Sequence, residues 1–195
     1  MRRQAAACDG VSWLDGIAEK LPLPDHCADG VVCTLAAHHF KSLSYAAAEM
    51  NRVCPKGPLV FFTLDPRVGD DPWFANYFPE IREKDYFLFP PLSAFAEIVG
   101  SVTGRSAEIY EFVLPADLTD RFMYAPWNRP DVYLDPIFRA NTSGFAGAEP
   151  SVVERGLVAL RKDLETGVWD ERNGHLRSRS TFDAGFRFVA FRGNH

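Results

Sequence analysis

Two adjacent histidines, His38 and His39, are the side chains in this sequence best suited to moving a proton near neutral pH. They come soon after Gly30–Leu35, an apolar run rich in β-branched residues, which predicts a strand buried on both faces of a parallel sheet. Because open α/β sheets bind ligands at the carboxyl ends of such strands, either histidine could act as a general base. The simpler alternative is that each histidine caps or packs against the end of the strand.

A zinc site is the other chemistry that these residues could support. Cys27 and Cys33 stand near the two histidines, but the spacing suits a tetrahedral site poorly and Cys33 lies inside the apolar strand. We therefore expect no metal site. The four cysteines all lie within the first 54 residues and form no Cys-x-x-Cys pair, which predicts free thiols. No Walker loop or Gly-x-Ser-x-Gly elbow supports a nucleotide-triphosphatase or a hydrolase.

A helix and a second strand follow the histidines. Residues Ser42–Cys54 carry apolar side chains at helical spacing, with Glu49 and Arg52 on the outward face, where we interpret both as structural residues. Pro58–Leu64 is a second apolar strand. Strand, helix and strand with short joints predict a βαβ unit in an α/β protein. Two further strands are predicted at Ala107–Leu114 and Phe182–Phe191.

Several short motifs stand in a fixed order in the first third of the chain. They are Ala18-Glu19-x-Leu21-Pro22-x-Pro24-Asp25, then Asp29-Gly30-Val31-Val32, then His38-His39, then Glu49-x-x-Arg52-Val53-x-Pro55-x-Gly57. Their order and spacing resemble the small-molecule class I S-adenosylmethionine-dependent methyltransferases. That family has an AE-LP-PD segment after its third strand and an E--RV--PG helix before its fifth strand.

The resemblance implies an α/β fold with a Rossmann-like methyltransferase sheet, mostly parallel with an antiparallel last strand, in the order 3-2-1-4-5-7-6. Val11–Leu14, Gly30–Leu35 and Pro58–Leu64 match the third, fourth and fifth strands, and Met1–Ala5 resembles the helix after the second strand. The first two strands and the glycine-rich cofactor loop have no counterpart, because neither Gly-x-Gly-x-Gly nor Gly-x-Gly-x-x-Gly occurs. We therefore expect an N-terminally truncated methyltransferase.

The resemblance also implies which residues meet the cofactor, S-adenosylmethionine. Ile17 and Ala18 match the pair that contacts the adenine, with Ile17 where the family often has Asp. The segment after the fourth strand matches residues that line the methionine part of the cofactor. The implied cofactor-binding residues are Gly16, Ile17, Ala18, Thr34, Leu35 and Ala36.

Aromatic residues crowd the irregular segment 67–147, more densely than a surface loop would hold unless it packed on something. We predict that this segment is an insert or cap that covers the acceptor site within one domain, residues 1–195. The predicted substrate-pocket residues are Trp73, Phe74, Tyr77, Phe87 and Trp127.

An apolar fourth strand without its usual neighbour would leave unpaired backbone groups at a sheet edge. Three outcomes can relieve this. Val11–Leu14 pairs with Gly30–Leu35, a partner chain covers the edge, or the edge stays open. We favour the first for a folded monomer.

Bulk composition agrees with this interpretation. The net charge of -5 argues against nucleic-acid binding, and no apolar stretch approaches the length that would span a membrane. A cytoplasmic location is expected. The predicted function is transfer of a methyl group from S-adenosylmethionine to a small-molecule acceptor, impaired in this chain because half of the cofactor site is missing. The alternative is a non-catalytic methyltransferase-like protein or fragment.

Overall fold

The structure, a computed structural model, describes residues 10–193. The chain forms two compact units. The first unit comprises the residues up to Phe61, Ser93–Glu108 and the residues from Val189 onward, and the second comprises Phe62–Leu92 and Ile109–Phe188. Part of the segment 67–147 thus lies in the first unit, and the single domain with an insert at those bounds stays a prediction.

The secondary structure alternates strands and helices, as an α/β fold requires. The strands are β1 (Val31–Thr34), β2 (Leu59–Leu64), β3 (Ala107–Glu111), β4 (Leu114–Pro115), β5 (Thr181–Phe182) and β6 (Phe186–Phe191). The α-helices are α1 (Leu43–Val53), α2 (Pro79–Leu88), α3 (Leu92–Thr103), α4 (Pro136–Ala140), α5 (Ser143–Ala146), α6 (Pro150–Glu165) and α7 (Val168–Asn173). Short 3-10 helices lie at Ala37–His39, Trp73–Asn76, Pro130–Leu134 and Gly174–Ser178.

The main sheet has four strands in the order β1-β2-β6-β3, and β4 pairs with β5 in a separate two-stranded ribbon. These four strands correspond to the predicted fourth, fifth, seventh and sixth strands, in that order. The mixed, mostly parallel α/β sheet is therefore confirmed. The absence of the first two strands from the whole protein stays a prediction.

The prediction that Val11–Leu14 forms a strand beside β1 is wrong. Val11, Trp13 and Leu14 form no strand, and each is about half exposed. Within residues 10–193, β1 pairs with β2 alone, and Val32 on its outer side is 71% exposed. The strand is therefore not buried on both faces as predicted. A four-residue apolar run signals a strand only where a neighbouring strand can pair with it.

Helix α1 follows the sequence pattern closely. The Ser42 hydroxyl accepts a hydrogen bond from the Tyr45 amide and so caps the helix. Four apolar side chains at helical spacing are buried: Ala46, Ala47, Met50 and Val53. Two hydrogen bonds join the start of β1 to the end of this helix and the residues before β2. The Ala28 amide donates to the Val53 carbonyl (3.0 Å), and the Val31 amide donates to the Pro58 carbonyl (2.9 Å).

Aromatic contacts fill the core of the first unit. Phe61 of β2 packs edge-on against Phe95 of α3 and Phe191 of β6, with ring centroids 5.1 and 6.0 Å apart. Arg105 joins the last turn of α1 to the loop that follows, by donating to the carbonyls of Cys54, Pro55 and Gly57 at 2.7–2.9 Å.

One stretch, Pro79–Thr103, has the length and apolar composition of a membrane span, which the sequence analysis did not expect. Only 28% of its most apolar window is buried. Pro90 and Pro91 interrupt it between α2 and α3. Length and composition alone are weak evidence for a membrane span, and α2 and α3 are each shorter than the roughly 20 residues that a spanning helix needs.

Candidate active site

The turn Ile17–Lys20 carries the residues predicted to meet the adenine. The Lys20 amide donates to the Ile17 carbonyl at 3.0 Å and closes the turn. The Ile17 side chain is 58% exposed, and the Ala18 amide makes no hydrogen bond to another described residue. A Cβ atom on Gly16 would lie 2.6 Å from the Pro22 ring, so only glycine fits where the chain passes this proline. The turn therefore places the exposed Ile17 side chain next to the Ala18 N–H, which has no hydrogen-bond partner among the described residues.

Glu19 ties this turn to the chain that follows the histidines. Its Oε1 accepts hydrogen bonds from the amides of Lys41 (2.6 Å) and Ser42 (3.1 Å). The Ser42 amide, then the Lys41 amide and charge, hold the pKa of Glu19 below its usual range. A carboxylate at the start of α1 also suits the positive end of the helix dipole. The turn and the segment after β1 are thus joined within one unit.

Glu49 and Arg52 on α1 hold the next part of the loop. Glu49 accepts from the Leu21 amide at 2.9 Å, and Arg52 donates to Glu49 through Nε (2.7 Å) and Nη2 (2.8 Å). Arg52 also donates to the carbonyls of Leu21 (3.3 Å) and Leu23 (2.9 Å) and to Asp25 Oδ1 (2.6 Å). The prediction that both side chains face outward is wrong, because the loop Leu21–Asp25 folds over them, whereas the interpretation of both as structural residues agrees with these contacts.

The electrostatics of this pair keep it ionised. The hydrogen bond from Arg52 lowers the pKa of Glu49 to about 2, with a smaller contribution from the Leu21 amide. The hydrogen bonds to Glu49 and Asp25 raise the pKa of Arg52 further above its usual range.

The segment predicted to line the methionine part begins with a sharp turn. Leu35 has φ +46°, a left-handed conformation that costs a non-glycine residue about 1–2 kcal/mol. The turn directs the amides of Ala36 and Ala37 toward the Cys33 thiol, whose pKa burial nevertheless raises. Strained backbone of this kind concentrates at functional sites. Thr34 is exposed and Ala36 is half-buried, so both are within reach of solvent.

The two histidines lie in the 3-10 helix directly after this segment. Their ring centroids are 3.9 Å apart, and His38 is half-buried whereas His39 is exposed. Burial, and then the neighbouring His39, lowers the pKa of His38 to about 4. His38 is therefore neutral at physiological pH, and the low pKa makes it a weak base there. No group of three metal-ligating side chains occurs in the part of the chain that the structure describes.

Four of the five predicted pocket residues form the aromatic core of the second unit. Trp73 packs against Tyr77 at 5.9 Å between centroids, its indole N–H donates to the Trp127 carbonyl at 2.6 Å, and Phe74 is 1% exposed. Phe87 is different, because it is 83% exposed and takes no part in the cluster. Further members of the cluster were not predicted from the sequence, namely Tyr124, Tyr133, Phe145 and Trp169.

A buried polar group adjoins this aromatic core, and the sequence analysis missed it too. The Tyr124 hydroxyl donates to Asp85 Oδ2 at 2.5 Å, and Arg82 donates to the Pro66 carbonyl at 2.7 Å. Burial raises the pKa of Asp85 and of Tyr124. Arg82 and Asp85 stand three residues apart on the buried face of α2. Arg82 and Asp85, at helical spacing and next to the apolar Ile81, were the sequence feature that could have indicated this buried polar group.

One cavity of about 200 Å³ opens in the second unit. Its lining contains none of the predicted site residues, and consists of Glu80, Ile81, Lys84, Gly147, Ala148, Glu149 and Val152.

Comparison with known proteins agrees with these motifs. A family described as "Methyltransferase domain" matches residues 1–62. The crystal structure of an Anabaena variabilis protein, assigned to an antibiotic biosynthesis pathway as a methyltransferase, is 39% identical with a TM-score of 0.93, covering 97% of this chain and 76% of that one. The uncharacterized methyltransferase YcgJ of Bacillus subtilis is 28% identical over 115 residues, 57% of this chain and 45% of the relative. The match thus spans less than half the length of that curated relative. By its likeness to the Anabaena protein, this chain belongs to the class I S-adenosylmethionine-dependent methyltransferase family.

Proposed function

We propose that this chain transfers, or helps to transfer, a methyl group from S-adenosylmethionine to a small-molecule acceptor. The observation that carries the proposal is the hydrogen-bonded assembly of the first unit. Glu19, Glu49 and Arg52 together hold the turn Ile17–Lys20 against the chain that follows β1. Two separate cofactor-binding segments implied by the family are thereby linked.

The residues of the first unit suit the cofactor. The exposed side chain of Ile17 offers an apolar surface to the adenine face, and the unbonded Ala18 amide can donate to a ring nitrogen. Thr34, Leu35 and Ala36 would line the methionine part. When bound, the cofactor supplies a methyl group already activated by its positive sulfur. The protein therefore has mainly to align the nucleophile and exclude water.

The acceptor residues that we propose lie in the second unit. The buried aromatic side chains of Trp73, Phe74, Tyr77 and Trp127 would give a pocket its apolar walls, with exposed Phe87 as part of a lid. His39, which is exposed, or His38 would take a proton from the nucleophile if one must leave, and a pKa near 4 makes His38 a weak base for this role. The assignment of the Anabaena relative to antibiotic biosynthesis supports a small-molecule acceptor, and the net charge of -5 does not suit nucleic acid.

The affinity of this 195-residue chain for the cofactor should be low. The sequence contains no glycine-rich loop to bring backbone amides to the cofactor. Losing several hydrogen bonds at about 0.5–1.5 kcal/mol each weakens binding by orders of magnitude. A non-catalytic methyltransferase-like protein or fragment is the second candidate.

Titration calorimetry with S-adenosylmethionine separates the two candidates. We expect a dissociation constant weaker than about 0.1 mM. Micromolar binding would contradict the proposed impairment, and the absence of heat at about 10 mM would reject the enzyme in favour of the non-catalytic protein.

Two predictions remain without a structural test. A partner chain over the edge of β1 is supported by the position of β1 at the end of the sheet, where β2 is its one neighbour among the described strands, and a strictly monomeric chain in analytical ultracentrifugation would contradict it. The cytoplasmic location is supported by the free thiols of Cys27, Cys33 and Cys54, while Cys8 lies outside the described residues.

A further inference from the structure

We infer that Glu49 and Arg52 are positioning residues that hold the Ile17–Lys20 turn in the conformation that receives the cofactor. The inference rests on the proposed function, because it gives the turn a ligand. It concerns a helix face that packs on the loop before β1, and neither side chain need touch the cofactor itself.

Glu49 and Arg52 bind both backbone polar groups of Leu21. Its amide donates to Glu49 Oε2 (2.9 Å) and its carbonyl accepts from Arg52 Nη2 (3.3 Å). Both peptide groups of the residue directly after the turn are thus fixed to α1. Arg52 extends the grip to the Leu23 carbonyl and to Asp25, so the whole loop is held at its far end as well.

The position of Leu21 in turn determines the position of the Ile17–Lys20 turn. Pro22 follows it and lies so close to Gly16 that a Cβ there would be 2.6 Å from the proline ring. Lys20 precedes it and is bonded to Ile17 across the turn. Movement of the loop away from α1 would therefore displace both ends of the turn and the Ala18 amide between them.

The Glu49–Arg52 pair stays ionised over a wide pH range, so its hydrogen bonds to the loop persist as well. Arg52 holds the pKa of Glu49 near 2, so the pair stays charged at any working pH. The buried positions of α1 fix the helix that carries the pair. A charge-assisted pair that also binds three backbone groups loses little additional side-chain entropy for each bond that it makes.

A merely stabilising role is the alternative, and the chain offers a matched control. Arg105 is a second arginine of the first unit that donates to three backbone carbonyls, those of Cys54, Pro55 and Gly57. It also donates to Asn51 of α1 through Nε (3.1 Å), but it makes no hydrogen bond to the loop Leu21–Asp25. Arg105→Ala should destabilise the unit and leave the turn in place.

The test compares Arg52→Ala with Arg105→Ala by amide exchange and by titration with S-adenosylmethionine, followed by NMR, at a temperature where both variants are folded. We expect Arg52→Ala to raise exchange of the Leu21 amide about tenfold, and to weaken cofactor binding about fivefold relative to Arg105→Ala. If Arg52→Ala does not fold, Glu49→Gln replaces it, with at least a twofold weakening expected.

The outcomes separate the inference from the proposed function. Equal affinity in Arg52→Ala and Arg105→Ala, with the parent chain binding, overturns the inference and leaves the function intact. Faster exchange at Leu21 together with weaker binding in Arg52→Ala alone supports both. A parent chain that shows no cofactor shifts overturns the proposed function, and the positioning role falls with it.

Discussion

Gly57, in the joint between α1 and β2, should not tolerate a side chain. A Cβ atom placed there would lie 1.8 Å from the Asp29 carbonyl oxygen and 2.8 Å from Cys54 Sγ. The obstacle is backbone, so Asp29 would have to retreat by more than 1 Å to reach even 3.0 Å, a separation that real Cβ atoms essentially never undercut. Asp29 sits between two hydrogen bonds that join the start of β1 to this joint, donated by the amides of Ala28 and Val31.

The cost of Gly57→Ala follows from these contacts. Overpacking costs about 1–3 kcal/mol, and losing one or both flanking hydrogen bonds adds about 1 kcal/mol each. The smaller entropy of the unfolded alanine chain returns about 0.4–1 kcal/mol. We therefore expect the free energy of unfolding to fall by about 1–4.5 kcal/mol.

Urea unfolding measures this loss, with Gly104→Ala as the control. Gly104 has φ +71° but no atom within 4 Å of a new Cβ, so its substitution adds backbone strain without a clash, at about 1–2 kcal/mol. If Gly57→Ala costs no more than Gly104→Ala, the close approach of Asp29 does not constrain the joint and the reasoning fails.

Two other predictions use stability alone. Phe74→Ala should lower the free energy of unfolding by about 3–5 kcal/mol because the ring is buried, whereas Phe87→Ala should change it by less than about 0.5 kcal/mol, and urea midpoints that reverse this order would contradict the assignment of the aromatic core. Because the pKa of His38 falls to about 4 in the folded chain, from an ordinary value of 6.5, protons bind the unfolded chain first and stability falls as the pH drops from 6.5 toward 4. His38→Asn should flatten that decline, as followed by urea midpoints across this range, and an unchanged decline would contradict the role of His38.

The sequence patterns predicted an element best where its apolar side chains are buried in the core. The run Pro58–Leu64 gave β2, and the buried stripe of α1 was read correctly, because periodicity reports directly on burial. Val11–Leu14 failed because a short apolar run carries no information about whether a partner strand is present. The strand order β1-β2-β6-β3 came from the family resemblance, since pairing between distant segments leaves no local trace in a sequence.

The candidate site was predictable only in part. The motifs led to the turn Ile17–Lys20 and to the segment after β1, but helical spacing alone assigned Glu49 and Arg52 to solvent. Periodicity identifies the face of a helix that packs on the core. It does not predict whether a loop folds onto the opposite face. Phe87 shows the converse, because aromatic composition gave no means of telling a buried ring from an exposed one.

The central claim is that the first unit presents a cofactor site formed by the Ile17–Lys20 turn and the segment after β1. Titration of the ¹⁵N-labelled chain with S-adenosylmethionine, followed by NMR, tests it most directly. The account predicts shifts concentrated at the amides of Ile17, Ala18, Leu35 and Ala36, with half-saturation weaker than about 0.1 mM. Shifts that saturate elsewhere while these four amides stay unmoved would contradict it.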